Sequence, residues 1–158
     1  MENKRIAIIR IRGNVGVKKE IKDTLNMLHL YRKNYCSLIL NTKSNIGMLN
    51  LIKDYVTWGE VDEETCKLLL EKRGRLYGNK KLLESYIKEK INLSFNDFIK
   101  EFMEGKKELK DIPGLKKFFR LNPPLKGFER KGIKIPFSLG GALGYRKEKI
   151  NDLIRRMV

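Results

Sequence analysis

The chain has 158 residues, of which 35 are Lys or Arg and 19 are Asp or Glu, so its formal net charge at pH 7 is +16. With 41% apolar residues, a chain of this length can bury a core without disulfides or a structural metal. The sequence has no apolar run of membrane-spanning length, its first five residues lack the apolar segment of a signal peptide, and Cys36 and Cys66 have no paired spacing, which indicates reduced thiols in the cytoplasm.

The first sixty residues alternate between strand and helix patterns. Val17, Ile21 and Leu25 recur every four residues, which is typical of an amphipathic helix. Helices that connect short strands in this way pack on a sheet, and we expect them to cover one face and leave the other free. The predicted elements are a strand over residues 5–12, a helix over 18–30, a strand over 36–40, a helix capped by Thr42 or Ser44, and a strand over 56–58 that ends at Gly59.

Residues 61–112 are predicted to be helical and nearly neutral, because they hold 12 basic and 11 acidic side chains. Asp62 is a favourable cap for a helix that ends at Gly74. Two further helices are expected, one after Asn79 and one from Ser94 to Gly105. Mixed Lys and Glu residues indicate solvated helix faces here.

The last part of the chain combines a strand over residues 118–121, an irregular Gly-containing loop over 125–143 and a helix over 147–157. Residues 1–60 and 113–158 carry almost all of the excess charge, +6 and +9. A polyanion would relieve the self-repulsion of such a chain, so nucleic acid is the predicted partner class. The alternative is a soluble basic protein without such a partner. Removal of residues 125–158 is expected to weaken binding without unfolding the first sixty residues.

The sequence offers no constellation of catalytic, cofactor or metal-binding residues. His29 has no nucleophile and carboxylate at motif spacing, and the Gly-rich segment 138–145 lacks the Lys-Ser/Thr ending of a nucleotide-binding loop. Residues 13–16 match the Gly-x-x-Gly of KH domains, but a strand precedes them. This turn could approach a phosphate or simply connect a strand to a helix. Trp58 could stack on a base, although a core position is favoured.

Basic side chains form clusters that are interleaved with aromatic residues in several places. Arginine forks match phosphate geometry, and irregular basic loops can enter RNA grooves that helices cannot. The alternative for any single cluster is a solvated surface. The candidate RNA-binding residues are Arg10, Arg12, Asn14, Arg32, Lys33, Arg73, Arg75, Lys116, Lys117, Arg120, Lys126, Arg130, Lys131, Lys134, Arg146, Arg155 and Arg156.

Blocks of sequence spread over nearly the whole chain form a recognisable combination. They are Ile9-Arg10-Ile11-Arg12-Gly13, Val15-Gly16-Val17, Lys53-Asp54-Tyr55-Val56-Thr57-Trp58-Gly59, Lys72-Arg73-Gly74, Phe119-Arg120-Leu121-Asn122-Pro123-Pro124 and Ile150-Asn151-Asp152-Leu153-Ile154-Arg155-Arg156-Met157. In these blocks the chain resembles the large-subunit ribosomal protein family numbered L-thirty, or L-seven in the eukaryotic scheme. Residues 76–114 are the least distinctive part.

The resemblance implies an α+β fold with a ferredoxin-like β-α-β-α-β core, additional helices and a basic C-terminal extension. It also implies a non-catalytic, rRNA-binding constituent of the large ribosomal subunit in the cytoplasm, with neighbouring ribosomal proteins as further partners and neither a cofactor, a small-molecule substrate nor a membrane. The presence of the C-terminal part and the absence of a long basic N-terminal extension are typical of the archaeal form.

We expect three segments: a ferredoxin-like core over residues 1–60, a helical near-neutral region over 61–114, and a basic segment over 115–158 that packs back on the core. Two functions from other classes are weighed against the ribosomal one. An enzyme acting on RNA or nucleotides would need a pocket with acid, base or metal groups, which the sequence does not offer. A regulatory protein that binds RNA or DNA outside the ribosome remains the alternative.

Overall fold

The computed structural model describes residues 4–158, so the first three of the residues considered for a signal peptide lie outside the described range. Its helices and strands follow one another much as the sequence patterns predict. They are β1 (Arg5–Arg10), α1 (Lys19–Met27), β2 (Tyr35–Leu40), α2 (Lys43–Leu51), β3 (Val56–Glu60), α3 (Glu63–Arg73), α4 (Glu84–Ile91), α5 (Phe95–Met103), β4 (Phe118–Arg120), β5 (Gly144–Tyr145) and α6 (Ile150–Met157). None of the helices within residues 4–158 has the length and apolar character needed to cross a membrane.

The strands form one sheet in the order β4-β2-β1-β3-β5. β1 is central and antiparallel to both β2 and β3, with Ile8 opposite Ser37 on one side and Trp58 on the other. β4 is antiparallel to β2, and β5 is parallel to β3. The expected α+β fold with a ferredoxin-like core and additional helices is confirmed.

Both faces of the sheet are covered, so the expectation of a free face is wrong. Ile6 and Ile8 point toward α1 and α2, where they join a buried cluster with Leu25 and Leu49. Ala7 and Ile9 point the other way and belong to the largest cluster, which includes buried residues from α3, α5 and α6. The prediction considered only the two helices of the first sixty residues, whereas the helices that cover the second face come from later in the chain.

The largest cluster draws on all three segments of the chain. It contains Ala7 from residues 1–60, Phe98 from 61–114, and Leu153 from 115–158, each fully buried. Full burial of a large apolar side chain contributes about 1.5–3 kcal/mol. Trp58 is 7% exposed and packs in the cluster beneath α1 and α2, which is the core position that the sequence favoured.

Three helix starts occur where capping residues predict them. The side chains of Thr42, Asp62 and Ser94 accept hydrogen bonds from backbone N–H groups of α2, α3 and α5 at 3.2, 2.7 and 3.3 Å. The helix expected after Asn79 begins only at Glu84, since Asn79 has a φ of 62° and occupies a turn. Local side chains therefore mark three of the six α-helix starts described in residues 4–158.

Gly59 does not end the third strand, because β3 continues to Glu60. A Cβ atom at this position would overlap the backbone carbonyl oxygen of Lys147. Gly59 thus permits the segment that follows β5 to lie directly against β3. Residues 125–143 are irregular as expected, apart from a 3-10 turn at Phe137–Leu139 and an isolated bridge between Pro136 and Leu143.

Candidate nucleic-acid interface

Four loops meet at one end of the sheet because of the strand directions. The last residue of β1, Arg10, pairs with the first residue of β3, Val56, and the first residue of β2, Tyr35, pairs with the last residue of β4, Arg120. β5 is parallel to β3, so the loop that precedes Gly144 reaches the same end. Loops far apart in sequence are therefore neighbours in space.

Backbone hydrogen bonds tie these loops together. The N–H of Ile11 donates to the carbonyl of Tyr55 at 2.9 Å, and the N–H of Asn34 donates to the carbonyl of Arg10 at 2.8 Å. Asn34 in turn accepts from the N–H of Leu121 at 3.2 Å. Ile11 is fully buried beneath the loop that precedes β5, where Leu143 contacts it in a small apolar cluster.

We call this surface the basic end. It carries nine exposed or half-exposed cations, and its loops hold only two carboxylates, Asp54 and Glu129. Within residues 4–158 none of these cations forms a salt bridge. The nine cations are Arg12, Arg32, Lys33, Lys53, Arg120, Lys126, Arg130, Lys131 and Lys134.

Lys53 is the member of the basic end that sequence reasoning missed. It precedes Asp54 in a short loop, where it reads as half of a balanced pair of charges. The structure brings its loop against Arg12, whose guanidinium donates to the Asp54 carbonyl at 3.4 Å and lies 5.0 Å from the ring centre of Tyr55. Only the antiparallel topology reveals this neighbourhood.

Arg10, a candidate RNA contact, is fully buried. Its guanidinium donates to the carbonyls of Leu30 at 2.8 Å and Arg12 at 2.9 Å, and to Oδ1 of Asn14 at 2.6 Å. Burial lowers the pKa of Arg10 from its ordinary value. The side chain holds two loops of the basic end in place and does not reach the surface, so we leave it out of the proposed RNA contacts.

Arg146 is the second candidate that lies inside the protein, at 2% exposure. It donates to Oγ1 of Thr57, to Oε1 of Glu129 and to the carbonyl of Ala142, each at 2.7 Å. Burial lowers the pKa of Arg146, and the Glu129 carboxylate partly offsets that effect. Arg146 therefore fastens the loop over 126–143 to β3, and it too is left out of the proposed contacts.

Asn14 is exposed in the turn between β1 and α1, next to the fully exposed Val15. This turn is the strand-to-helix connection that the sequence allowed, and not the helix-to-helix loop of a KH domain. Gly16 has a φ of 69°, which is a left-handed conformation that favours glycine. The turn projects from the basic end beside Arg12.

The remaining candidates lie outside the basic end or are partly engaged. Arg155 is 3.5 Å from the Asp62 carboxylate, and Arg156 donates to the carbonyl of Gly127 at 2.8 Å. Arg75 accepts, through its carbonyl, a 2.9 Å hydrogen bond from the N–H of Lys116. This second group of cations lies where the chain enters β4, and it consists of Arg73, Arg75, Lys116 and Lys117.

The cysteines, the histidine and the carboxylates of residues 4–158 do not form a metal site or a reactive thiol. Among residues 4–158 no cluster of three or more His, Cys, Asp or Glu could hold a metal ion. Cys36 and Cys66 are free and buried, and burial raises the pKa of Cys66 to about 12, so its thiol is protonated. Burial and the nearby Lys117 charge lower the pKa of His29, whose ring pairs with the Tyr31 hydroxyl at 2.8 Å.

Comparisons with known proteins show the family to which the chain belongs. The family model described as Ribosomal protein L30p/L7e matches residues 6–56. A relative from Nanoarchaeum equitans, named large ribosomal subunit protein uL30, is 55% identical over 152 residues, which cover 96% of this chain and 97% of the relative. The chain belongs to the L30p/L7e family of ribosomal proteins.

Other archaeal uL30 proteins match the chain at nearly full length. The protein from Methanopyrus kandleri is 52% identical and the one from Archaeoglobus fulgidus is 48% identical, with 94% and 96% of this chain covered and 100% and 98% of each relative. The predicted family is thus confirmed, and the relatives are of the archaeal form that the resemblance implied. The L30p/L7e family is structural and non-enzymatic.

Proposed function

We propose that this chain is a structural constituent of the large ribosomal subunit that binds and stabilises folded ribosomal RNA in the cytoplasm. The observation that carries the proposal is the basic end, where nine cations from four loops face solvent without a salt bridge in residues 4–158. Membership of a family whose relatives are named as large-subunit proteins supports the ribosomal role.

The mode of binding follows from the shape and charge of this surface. Both faces of the sheet are packed, so strand surfaces cannot read RNA bases as they do in an RRM. Loops with arginine forks and lysine point charges suit phosphate and sugar contacts instead. We therefore infer that the protein recognises the shape of folded RNA and holds neighbouring RNA segments and ribosomal proteins together during subunit assembly.

A salt titration tests the electrostatic part of the proposal. If about six of the cations at the basic end neutralise phosphates, the logarithm of the affinity for large-subunit rRNA should fall with log salt at a slope of roughly −4 to −5. A variant with glutamine at Lys126, Arg130, Lys131 and Lys134 should have a shallower slope and keep its fold. A wild-type slope near zero would contradict the proposal.

Sedimentation of cell extracts tests the ribosomal part. The protein should travel with the large subunit through a sucrose gradient at moderate salt. Migration as a free protein, combined with salt-dependent binding to other nucleic acids, would favour a regulatory role outside the ribosome.

A further inference from the structure

Residues 75–81 form a short hairpin that the sequence analysis assigned to a neutral helical region. Arg75 and Lys81 form an antiparallel bridge, and the N–H of Leu76 donates to the carbonyl of Lys80 at 2.7 Å. Gly78 and Asn79 form the turn, with φ angles of 80° and 62°. We call this element the 75–81 hairpin.

The 75–81 hairpin is held firmly against the chain that leads into β4. Leu76 forms an antiparallel bridge with Leu115, and the N–H of Tyr77 donates to the carbonyl of Gly114 at 2.9 Å. The Lys116 N–H donates to the Arg75 carbonyl on the same side. Its side chains therefore project from a defined backbone.

The charge of this segment is strongly one-sided. Between Glu71 and Glu84 the chain has five cations and no carboxylate, and Lys116 lies beside them. All of these cations are exposed or half-exposed, and no salt bridge within residues 4–158 involves them. The five are Lys72, Arg73, Arg75, Lys80 and Lys81.

Tyr77 differs from the other tyrosines because its ring contacts no other ring or cation within residues 4–158. It is 73% exposed, and within residues 4–158 neither an aromatic ring nor a cation lies over it. The chain has six tyrosines, and the other five each contact a ring or a cation. Those five are Tyr31, Tyr35, Tyr55, Tyr86 and Tyr145.

We propose that the 75–81 hairpin is a second RNA-binding surface, on which Tyr77 stacks against an unpaired base while the surrounding cations contact its backbone. A free aromatic ring among cations is the arrangement that binds single-stranded RNA, because bases in a duplex are already stacked. The inference rests on the proposed function and adds a contact to it. The hairpin adjoins the chain that enters β4, whereas Arg120 of the basic end closes that strand, so the two surfaces lie at opposite ends of β4.

A fluorescent base reports on the stacking directly. The probe is a short single-stranded oligouridylate with one central 2-aminopurine, whose emission is quenched when it stacks on an aromatic ring. The full chain should bind the probe and quench it. Tyr77→Ala should weaken binding about tenfold and abolish the quenching, with an unchanged salt slope, whereas Tyr77→Phe should retain both.

Matched variants separate stacking from charge. Leu83→Ala changes a 58% exposed apolar side chain near the hairpin and should leave binding unchanged. The double variant Lys80→Gln and Lys81→Gln should make the salt slope for the probe shallower by about 1.4, since single strands contribute about 0.7 per phosphate contact. Quenching of the 2-aminopurine should persist at saturating protein, because Tyr77 is intact.

The possible outcomes distinguish the inference from the proposed function. Equal binding and quenching by wild type and Tyr77→Ala would overturn the inference. So would binding of large-subunit rRNA without any binding of the single-stranded probe, and that result would leave the proposed function standing. Failure to bind either RNA would overturn both.

Discussion

Two buried arginines organise the loops that carry the exposed ones. The Arg10 guanidinium is fully buried, and its hydrogen bonds go to two carbonyls and the Asn14 side chain. Arg146 is paired with Glu129 and bonded to Thr57. A buried charged group is costly unless its hydrogen bonds are satisfied, so these bonds fix the loop conformations strongly.

Replacing Arg10 separates loop positioning from phosphate contact. Arg10→Gln should lower the free energy of unfolding by about 2–3 kcal/mol, because Leu30 and Asn14 lose their donors inside the protein. RNA affinity should fall while the salt slope stays at the wild-type value. The matched variant Arg12→Gln should instead make the slope shallower by nearly one, with little loss of stability.

Denaturant titration and RNA binding at several salt concentrations provide these values. A slope change in Arg10→Gln equal to that in Arg12→Gln would mean that the Arg10 side chain itself reaches a phosphate.

The close approach of Gly59 to the segment after β5 can also be tested by substitution. Gly59→Ala should destabilise the protein by about 2–3 kcal/mol, because the new methyl group would overlap the Lys147 carbonyl and force the backbone apart. Gly47→Ala is the control, since Gly47 lies inside α2 with open space around it. That change should stabilise the protein by about 0.5–1 kcal/mol. Thermal denaturation of both variants tests the contrast, and a loss in Gly47→Ala would contradict it.

Sequence patterns anticipated exposed cations but not the burial of Arg10 and Arg146. Nothing local distinguishes Arg10 from Arg12, two positions further along, because their exposure depends on which loops fold over the end of β1. Lys53 was missed for the same reason. Residue type therefore indicated the partner class, whereas tertiary contacts decide which cations are available to it.

Among the helices and strands, the sequence was most informative where a side chain caps a helix. Asp62 caps α3 and also lies 3.5 Å from Arg155 of α6. The 75–81 hairpin and β5 were not anticipated, since the first depends on a bridge between Arg75 and Lys81 and the second spans only Gly144 and Tyr145. Such short pairings carry too few residues to produce a periodic pattern.

Loss of the α3 cap should have a modest, measurable effect. Asp62→Ala should lower the free energy of unfolding by about 1 kcal/mol, because the N–H of Thr65 loses its acceptor. The exposed ion pair with Arg155 should add little. Asp23→Ala, an exposed position on α1, should change stability by less than about 0.5 kcal/mol. Equal effects of the two substitutions in urea unfolding would contradict the capping role.

Both faces of the sheet and all three segments of the chain contribute to packing. Ile150, Leu153 and Ile154 of α6 are fully buried in the cluster that also contains Ala7 and Ile9 of β1. The sequence predicted a helix over residues 147–157, which contains α6. It could not indicate that the helix shares a buried cluster with the central strand, because that cluster joins residues more than a hundred positions apart.

This packing reverses the expectation for a truncated chain. Removal of residues 125–158 would take away α6 from the cluster that covers Ala7 and Ile9, and each buried Ile or Leu of α6 contributes about 1.5–3 kcal/mol. Because the net stability of a domain is about 5–15 kcal/mol, the shortened chain should lose cooperative unfolding. Near-ultraviolet circular dichroism and limited proteolysis test this. A protected, cooperatively folding fragment over the first sixty residues would contradict it.

The two-sided covering of the sheet has an evolutionary consequence. Since strand surfaces are fully committed to packing, selection for a new RNA geometry can act only through the connections between them. Connections on a rigid scaffold accept insertions and deletions with little effect on stability. Lineages should therefore differ in the length and chemistry of these connections, while the strands keep their register. The same fold can in this way accommodate changes in the ribosomal RNA of each lineage.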